Sequence, residues 1–175
     1  EALAQNRSWS AGRAERMTNV DPAFDALWRR YAQDYPLAVI RDAAFLKWRF
    51  FENPLHEYEL WVYKGRFRQD GKAYAVLALE GEKARMVDLF APPSGKIIPP
   101  FLAELGRGLC ERGVREMETW LPQDHFMAQF AMLAGFRPCT EPLGFIPTGR
   151  SFHPGLSLGW ASNRLYYTMA DGDLL

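Results

Sequence analysis

Residues 83–122 constrain the fold more than any other part of this chain, because two strand patterns flank a helix there. "KARMVDLFAPP" (83–93) and "VREMETWLP" (114–122) read as strands, and "PPFLAELGRGLCERG" (99–113) reads as an amphipathic helix with prolines near its start. Strands joined through such a crossover lie parallel, and the connection is right-handed in nearly all proteins. The sequence therefore predicts a parallel contact between "ARMVDLF" and "VREMETW".

The residues before this unit predict two helices and two further strands. The helices cover residues 21–35 and 41–54, with Asp21 and Asp42 as their N-terminal caps. The apolar period then changes, and residues 57–67 and 72–82 read as antiparallel strands joined by the polar turn "RQDG". Residues 1–20 are polar and predict an extended lead-in, or the end of a preceding segment.

The residues after this unit predict one more helix and two last strands. The helix covers residues 123–136, with Asp124 as its cap and Gly135 at its end, and the strands cover 137–149 and 162–170. The element order is then α-α-β-β-β-α-β-α-β-β. We expect one α+β domain over residues 21–175, with a mixed, mostly antiparallel sheet and flanking helices.

The composition excludes several classes of protein. Of 175 residues, 48% are hydrophobic and 24% are charged, which suits one domain with a buried core. The net charge is +0, so the charge balance does not indicate a nucleic acid or an anionic membrane as partner. We expect a cytoplasmic protein with two reduced cysteines and no membrane span. No signal peptide is visible, and the start at Glu1 leaves open that the chain is a fragment of a longer protein.

Several phrases, taken in their order, resemble the GNAT superfamily of acyl-CoA-dependent N-acyltransferases. "MVDLFAPP" resembles its fourth strand, and "PSGKIIPPFLAELGRGLCERG" resembles its pyrophosphate loop and the helix that follows. "VREMETWLP" is similar to its fifth strand, and "AMLAGF" to a helix that ends before Gly-Phe. More narrowly, "FLKWRFFENP", "YELWVY" and "LYYTMADGDLL" resemble GNAT domains found beside bacterial exopolysaccharide genes, often as the second half of a tandem pair.

The resemblance implies a fold, a cofactor and partners. Acetyl-CoA or another acyl-CoA would lie between the fourth and fifth strands, and its pyrophosphate would bind the loop. A carboxylate would deprotonate the acceptor, a small amine or amino sugar, and a tyrosine would protonate the departing thiolate. A second GNAT domain or a second copy of the chain is the protein partner implied.

Three residues are candidates for these catalytic roles. Asp88, in the fourth strand, is the candidate base, and an ion pair or turn contact is the alternative. Glu118 shares a strand face with Glu116 and is a second candidate base if that face borders the gap; the alternative is a solvated face. The family's tyrosine position is Ala131 here, so Tyr166, or Tyr167 beside it, is the candidate acid if the sheet brings one of them to the gap; the alternative is packing.

The cofactor-binding residues that the resemblance implies lie at the end of the fourth strand and in the loop: Leu89, Ala91, Ser94, Gly95, Lys96, Ile97 and Ile98. Only Gly95 matches the family's loop pattern. Pro92 replaces the polar anchor, and Ile97 brings a branched side chain to a site of close approach. The four prolines of this stretch donate no N–H. The loop therefore either holds a phosphate through its remaining amides and Lys96, or is a structural turn from strand to helix.

Two functions follow from these residues. One is an N-acyltransferase with Asp88 as base. The other is a non-catalytic GNAT-like module that pairs with a catalytic domain or binds a polysaccharide precursor, and it predicts that Ile97, Ile98 or Phe101 fills the gap between the strands.

Two further predictions concern packing and metals. A helix over residues 41–54 packed on the sheet would bury both Phe45 and Trp48. No metal site is predicted, because the three histidines lack ligand spacing and the carboxylates of Asp171 and Asp173 lack further ligands.

Overall fold

The computed structural model describes residues 12–65, 71–140, 147–155 and 157–172. The turn "RQDG" and Asp173 fall wholly or partly outside these residues. The helices and strands are, in chain order, β1 (Gly12–Met17), α1 (Ala23–Tyr31), α2 (Ala43–Leu46), β2 (Glu59–Gly65), β3 (Gly71–Glu80), β4 (Lys83–Phe90), α3 (Ile98–Cys110), β5 (Glu116–Glu118), α4 (Phe126–Leu133) and α5 (Leu158–Ser162). Short 3₁₀ turns lie at Ala32–Asp34 and Met169–Asp171, and a π-helical turn at Lys47–Phe51 continues α2.

The strands form one five-stranded open sheet in the order β1-β2-β3-β4-β5. The first three pairs are antiparallel, and β4 pairs parallel with β5 through Lys83–Glu116, Ala84–Met117 and Arg85–Glu118. The predicted parallel contact is confirmed, with α3 as its crossover. The protein is of the α+β class, and its sheet is mixed and mostly antiparallel.

Helices α1 and α3 pack on opposite faces of the sheet. The ring of Tyr74 in β3 contacts Phe24 of α1, with centroids 5.8 Å apart. Tyr63 of β2, which pairs with Ala73, contacts Phe101 of α3 at 5.4 Å. Because neighbouring residues of a strand point to opposite faces, Tyr63 and Tyr74 lie on different sides. The buried core therefore lies in two layers, one under each helix.

Strand β1 was not predicted as part of the sheet. Residues 12–17 pair antiparallel with β2 over the whole of β1, from Gly12–Gly65 to Met17–Leu60. The sequence "GRAERM" carries three charged side chains in six residues, and these form ion pairs with neighbours, such as Glu15 with Lys64 at 2.7 Å. An edge strand with so few apolar residues has no clear hydrophobic period, so it resembled a polar lead-in.

The two final strands are not formed by the residues that the structure describes. Residues 137–140 and 147–149 are irregular, and 141–146 lie outside the described ranges. Leu165 makes only an isolated parallel bridge to Leu37, and the chain then enters a 3₁₀ turn with Thr168 as its cap. The β-rich composition of "LYYTMA" reflects burial instead, since Tyr166 and Met169 are core residues.

Burial of Trp48 was also wrongly predicted. Phe45 is 9% exposed, as expected, but Trp48 is 67% exposed. The π-helical turn is the reason, because its i→i+5 winding brings Phe50 beneath Phe45, with ring centroids 5.9 Å apart. Trp48 consequently lies toward the solvent side.

Of the three predicted N-terminal caps, only Asp42 is confirmed. At α1 the cap position is Pro22, and the Asp21 carboxylate before it accepts a hydrogen bond from the Ala23 amide at 2.7 Å. Asp42 caps α2 by accepting a hydrogen bond from the Phe45 amide at 2.9 Å. At α4 the cap is His125 rather than Asp124, since the His125 side chain accepts from the Met127 amide. Gly135 ends this helix with a positive φ of 106°, as predicted.

Candidate functional site

Asp88 lies near the end of β4 and is completely buried on the α1 face of the sheet. Its Oδ1 accepts hydrogen bonds from the Arg41 Nε at 3.0 Å and the Thr168 hydroxyl at 2.9 Å. Its Oδ2 accepts from the Tyr74 hydroxyl at 2.9 Å. Both oxygens are therefore occupied by groups of this chain, which corresponds to the ion-pair alternative for Asp88.

Arg41 is the centre of this network, and sequence reasoning missed it. Its side chain is fully buried, and besides Asp88 it contacts the carboxylate of Asp171 and the carbonyl of Val39, the latter at 3.1 Å. The guanidinium also lies over the ring of Tyr166, with its carbon 4.9 Å from the ring centroid. Burial by itself lowers the pKa of Arg41, but the charges of Asp88 and Asp171 outweigh it and raise that pKa above its ordinary value.

Tyr166 is buried behind β4, and its hydroxyl donates a hydrogen bond to the Leu89 carbonyl. At Ala91, two residues after Leu89, the Tyr35 hydroxyl donates a hydrogen bond to the carbonyl and accepts one from the amide. Burial raises the pKa of both phenols, so both remain protonated donors at neutral pH. The backbone groups of Leu89 and Ala91 that the resemblance assigns to acyl-CoA are thus bonded to tyrosines of this chain.

The parallel pairing of β4 and β5 stops after Arg85 and Glu118. Beyond it the Thr119 hydroxyl donates to the Met86 carbonyl at 2.8 Å. Glu118 itself forms an ion pair with Arg85 at 2.9 Å, and its side chain is 40% exposed. It therefore lies at the paired, partly solvated end of the strands rather than in a buried gap.

The N-terminus of α3 has little capacity to bind an anion. A helix ordinarily leaves its first N–H groups unpaired. Here the amides of Ile97 and Ile98 both donate to the Ser94 carbonyl at 3.0 Å, and Pro99 and Pro100 have no N–H. The next amide, that of Phe101, donates to the Ile97 carbonyl at 3.0 Å. These residues do not fit a pyrophosphate held on successive amides.

Amides of the turn before α3 are likewise already hydrogen-bonded within this chain. The Ser94 amide donates to the Pro92 carbonyl at 2.7 Å, and the Lys96 amide to the Ser94 hydroxyl at 3.3 Å. A Cβ on Gly95 would lie 3.2 Å from the ring of Phe130 in α4. The absence of a side chain at Gly95 therefore gives room to Phe130. The Lys96 ammonium is exposed.

Ile97, Ile98 or Phe101 was predicted to fill the gap between the fourth and fifth strands, but the structure has other groups at the free edge of β4. Ile98 and Phe101 are fully buried, but Phe101 stacks on Tyr63 in the layer under α3. Beyond the pairing with β5, the Thr119 hydroxyl bonds Met86, the Tyr166 hydroxyl bonds Leu89, and the Tyr35 hydroxyl bonds Ala91 just after the strand.

His125 is a further residue that sequence reasoning read only as a capping or surface group. Its ring stacks near Tyr166 and Tyr35, at 4.6 and 5.6 Å between centroids. Because Nδ1 accepts from the Met127 amide, the neutral ring carries its proton on Nε2, which is buried with no partner among the described residues. Burial, together with the charge of Arg41, lowers the pKa of His125 to about 4.

Two adjoining cavities lie beside this region, of about 800 Å³ and about 540 Å³. The first is lined by the residues that follow β5, by α4 and by residues 165–168, which include Tyr166. The second is lined by His125 and by α5. The predicted cofactor-binding residues, from Leu89 to Ile98, line neither of them.

Only weak sequence signals mark these residues. Arg41 follows the apolar run "PLAVI", where a charged side chain that cannot reach solvent requires a partner. Nothing in the sequence pairs it with Asp88, which lies 47 residues away. Thr168 and His125 occur in contexts typical of ordinary capping residues.

None of the helices in the described ranges combines the length and apolar character needed to cross a bilayer. A scan against protein-family models and a search of curated proteins found nothing that matches this chain.

Proposed function

We propose that this chain is a non-catalytic GNAT-like module that neither holds acyl-CoA nor transfers an acyl group. The observation that carries the proposal is the occupied edge of β4, where Tyr166 and Tyr35 bond the backbone of Leu89 and Ala91. An acyl-CoA arm competing for these groups would have to displace two buried tyrosines. Each displaced hydroxyl would lose its buried partner, which opposes binding.

The occupied carboxylate of Asp88 supports the same proposal. A general base needs a free lone pair within hydrogen-bond reach of the proton that it removes. Asp88 already accepts from Arg41, Thr168 and Tyr74, and its side chain is fully buried. Its role is therefore to hold the C-terminal segment and the residue 35–41 segment against the sheet.

The GNAT-like fold is part of the proposal. It is supported by the helix layers on both sides of the sheet and by the parallel β4–β5 pair joined through α3. We propose that the module pairs with a catalytic domain, either a second GNAT domain or a second copy, or binds a polysaccharide precursor. A cytoplasmic location is supported by Cys110 and Cys139, which are both exposed and unpaired, as is usual in a reducing compartment.

Calorimetric titration with acetyl-CoA tests the proposal. We expect no saturable binding at acetyl-CoA concentrations up to about 1 mM. A Kd of about 1 mM corresponds to a binding free energy of only about 4 kcal/mol, so this range includes weak specific binding. A matched assay with glucosamine as acceptor should release no thiol above the rate without protein. A Kd below about 1 µM would contradict the proposal, and turnover that disappears in Asp88→Asn while the variant stays folded would establish the acyltransferase.

The variant Lys96→Ala locates any binding that does occur. If acetyl-CoA binds through the loop, losing the Lys96 ammonium should weaken it by about tenfold or more, because charge-assisted contacts contribute about 1.5–3 kcal/mol. The control is Arg29→Gln, which also removes one positive charge but lies on the exposed side of α1 and not in the loop.

A further inference from the structure

The larger of the two cavities, about 800 Å³ in volume, has the size of a small-molecule site. Its wall is mainly apolar and includes the rings of Trp120, Phe136, Tyr166 and Tyr167. Ring walls of this kind stack on flat ligands and on ring edges. The cavity therefore favours a ligand with an apolar, ring-bearing body.

A few polar side chains also line this cavity. Those of Gln123, Arg137 and Thr148 form no hydrogen bond or ion pair with another residue in the part of the chain that the structure describes. Thr168 and Asp171 line it too, but both belong to the Arg41 network. Arg137 is exposed to solvent, and its guanidinium brings to the cavity wall a positive charge that forms no ion pair with a described carboxylate.

A second cavity of about 540 Å³ lies beside the larger one and shares Gln123, Thr148 and Tyr167 with its wall. His125 lines this second cavity, but its Nε2 has almost no accessible surface, so a ligand oxygen in the cavity would not reach it. Asp124 also lines the second cavity but is exposed to solvent. The polar groups that a ligand can contact are therefore those of the larger cavity.

We propose that the larger cavity binds a small organic carboxylate with an aromatic or similar ring-bearing body. The guanidinium of Arg137 binds the carboxylate, in the bidentate geometry that arginine favours, and the rings of the apolar wall enclose the body. This inference goes beyond the proposed function and does not depend on it, because it uses none of the residues assigned to acyl-CoA other than Tyr166.

Three matched ligands test the charge requirement: indole-3-propionate, its neutral amide, and tryptamine. Affinities are measured by calorimetry, supported by saturation-transfer NMR. We expect the carboxylate to bind at least about tenfold more tightly than the amide, and tryptamine most weakly. Equal affinity for the three, or no binding of the carboxylate at about 5 mM, overturns the inference.

Two variants test the location. Arg137→Gln should weaken the carboxylate by about tenfold while leaving the amide unchanged, since only the charged contact is lost. Ala128→Trp should remove binding of both ligands by filling the cavity, and its unfolding curve shows whether it remains folded. Arg29→Gln is the control for charge. If Arg137→Gln leaves the preference for the carboxylate intact, the site is elsewhere and the inference is wrong.

Titration of acetyl-CoA into the same protein samples separates this inference from the proposed function. Tight acetyl-CoA binding with carboxylate binding unchanged contradicts only the proposed function. Failure of indole-3-propionate to bind, in protein that also does not bind acetyl-CoA, contradicts only the inference about the cavity.

Discussion

Arg41 and Asp88 form an ion pair in which both side chains are fully inaccessible to solvent, with the Arg41 Nε 3.0 Å from the Asp88 Oδ1. Arg41 also contacts Asp171, and Thr168 bonds Asp88, so the pair connects three distant parts of the chain. Placing two charges in the core is costly unless each is paired and hydrogen-bonded, and here both conditions are met.

Breaking this pair on one side should destabilise the protein strongly. Arg41→Met leaves the Asp88 carboxylate buried without its counter-ion, so we expect a loss of about 3–5 kcal/mol in the free energy of unfolding. Urea denaturation followed by circular dichroism measures it. The double variant Arg41→Met/Asp88→Leu removes both charges and should recover part of the loss. A single-variant cost below about 1 kcal/mol would mean that the pair is not buried in solution.

Removing the hydroxyl of Tyr166 should destabilise the protein more than removing the hydroxyl of Tyr167. Tyr166→Phe leaves the buried Leu89 carbonyl without this partner, and we expect a cost of about 1–3 kcal/mol. Tyr167 is only partly buried and forms no hydrogen bond with another described residue, so Tyr167→Phe should change stability by less than about 0.5 kcal/mol. Chemical denaturation of the two variants side by side gives the comparison, and equal effects would contradict the placement of Tyr166.

The π-helical turn separates two aromatic residues that lie three positions apart. Phe45 is buried and Trp48 is 67% exposed, so truncation should affect them differently. We expect Phe45→Ala to cost about 3–5 kcal/mol. Trp48→Ala should cost less than about 1 kcal/mol. Denaturation midpoints of the two variants test the difference. A large loss of stability in Trp48→Ala would mean that this segment packs as an ordinary α-helix with Trp48 buried.

His125 should make stability depend on pH between about 4 and 6.5. Its pKa is lowered to about 4 in the folded protein from an ordinary value of 6.5, so between these values the unfolded chain binds more protons. The contribution to stability is present above pH 6.5 and is lost as the pH falls toward 4. Because the ring is partly exposed, we expect a loss of about 1–2 kcal/mol rather than the full value of the shift.

Comparison of two variants isolates this contribution from that of the carboxylates. His125→Asn keeps a good capping residue and removes the titrating ring, so the slope of stability with pH should flatten over this window. His153→Asn changes an exposed histidine and should leave the slope as it is in the unmodified protein. Unfolding free energies at pH 4.5, 5.5 and 7 suffice, and identical slopes for the two variants would show that His125 titrates normally.

The central sheet followed from the sequence because its signals are local. The strands β2, β3 and β4 carry continuous apolar patterns bounded by turns, and the crossover α3 is long enough to require a parallel return. The caps Asp42 and Gly135 act on neighbouring amides and backbone angles, so they too were readable. By contrast, the polar edge strand β1 depends on finding β2, more than 40 residues further along the chain.

The candidate site was decided by tertiary structure. The sequence identified Asp88 as a carboxylate in a strand and Tyr166 as an aromatic residue in an apolar segment. It could not show that Arg41 would pair with Asp88, or that the Tyr166 hydroxyl would donate a hydrogen bond to the Leu89 carbonyl. Asp88 and Thr168 are 80 residues apart, and Tyr166 and Leu89 are 77. Sequence periodicity reports which face of an element is buried, whereas the partner of a buried polar group depends on which distant element packs against that face.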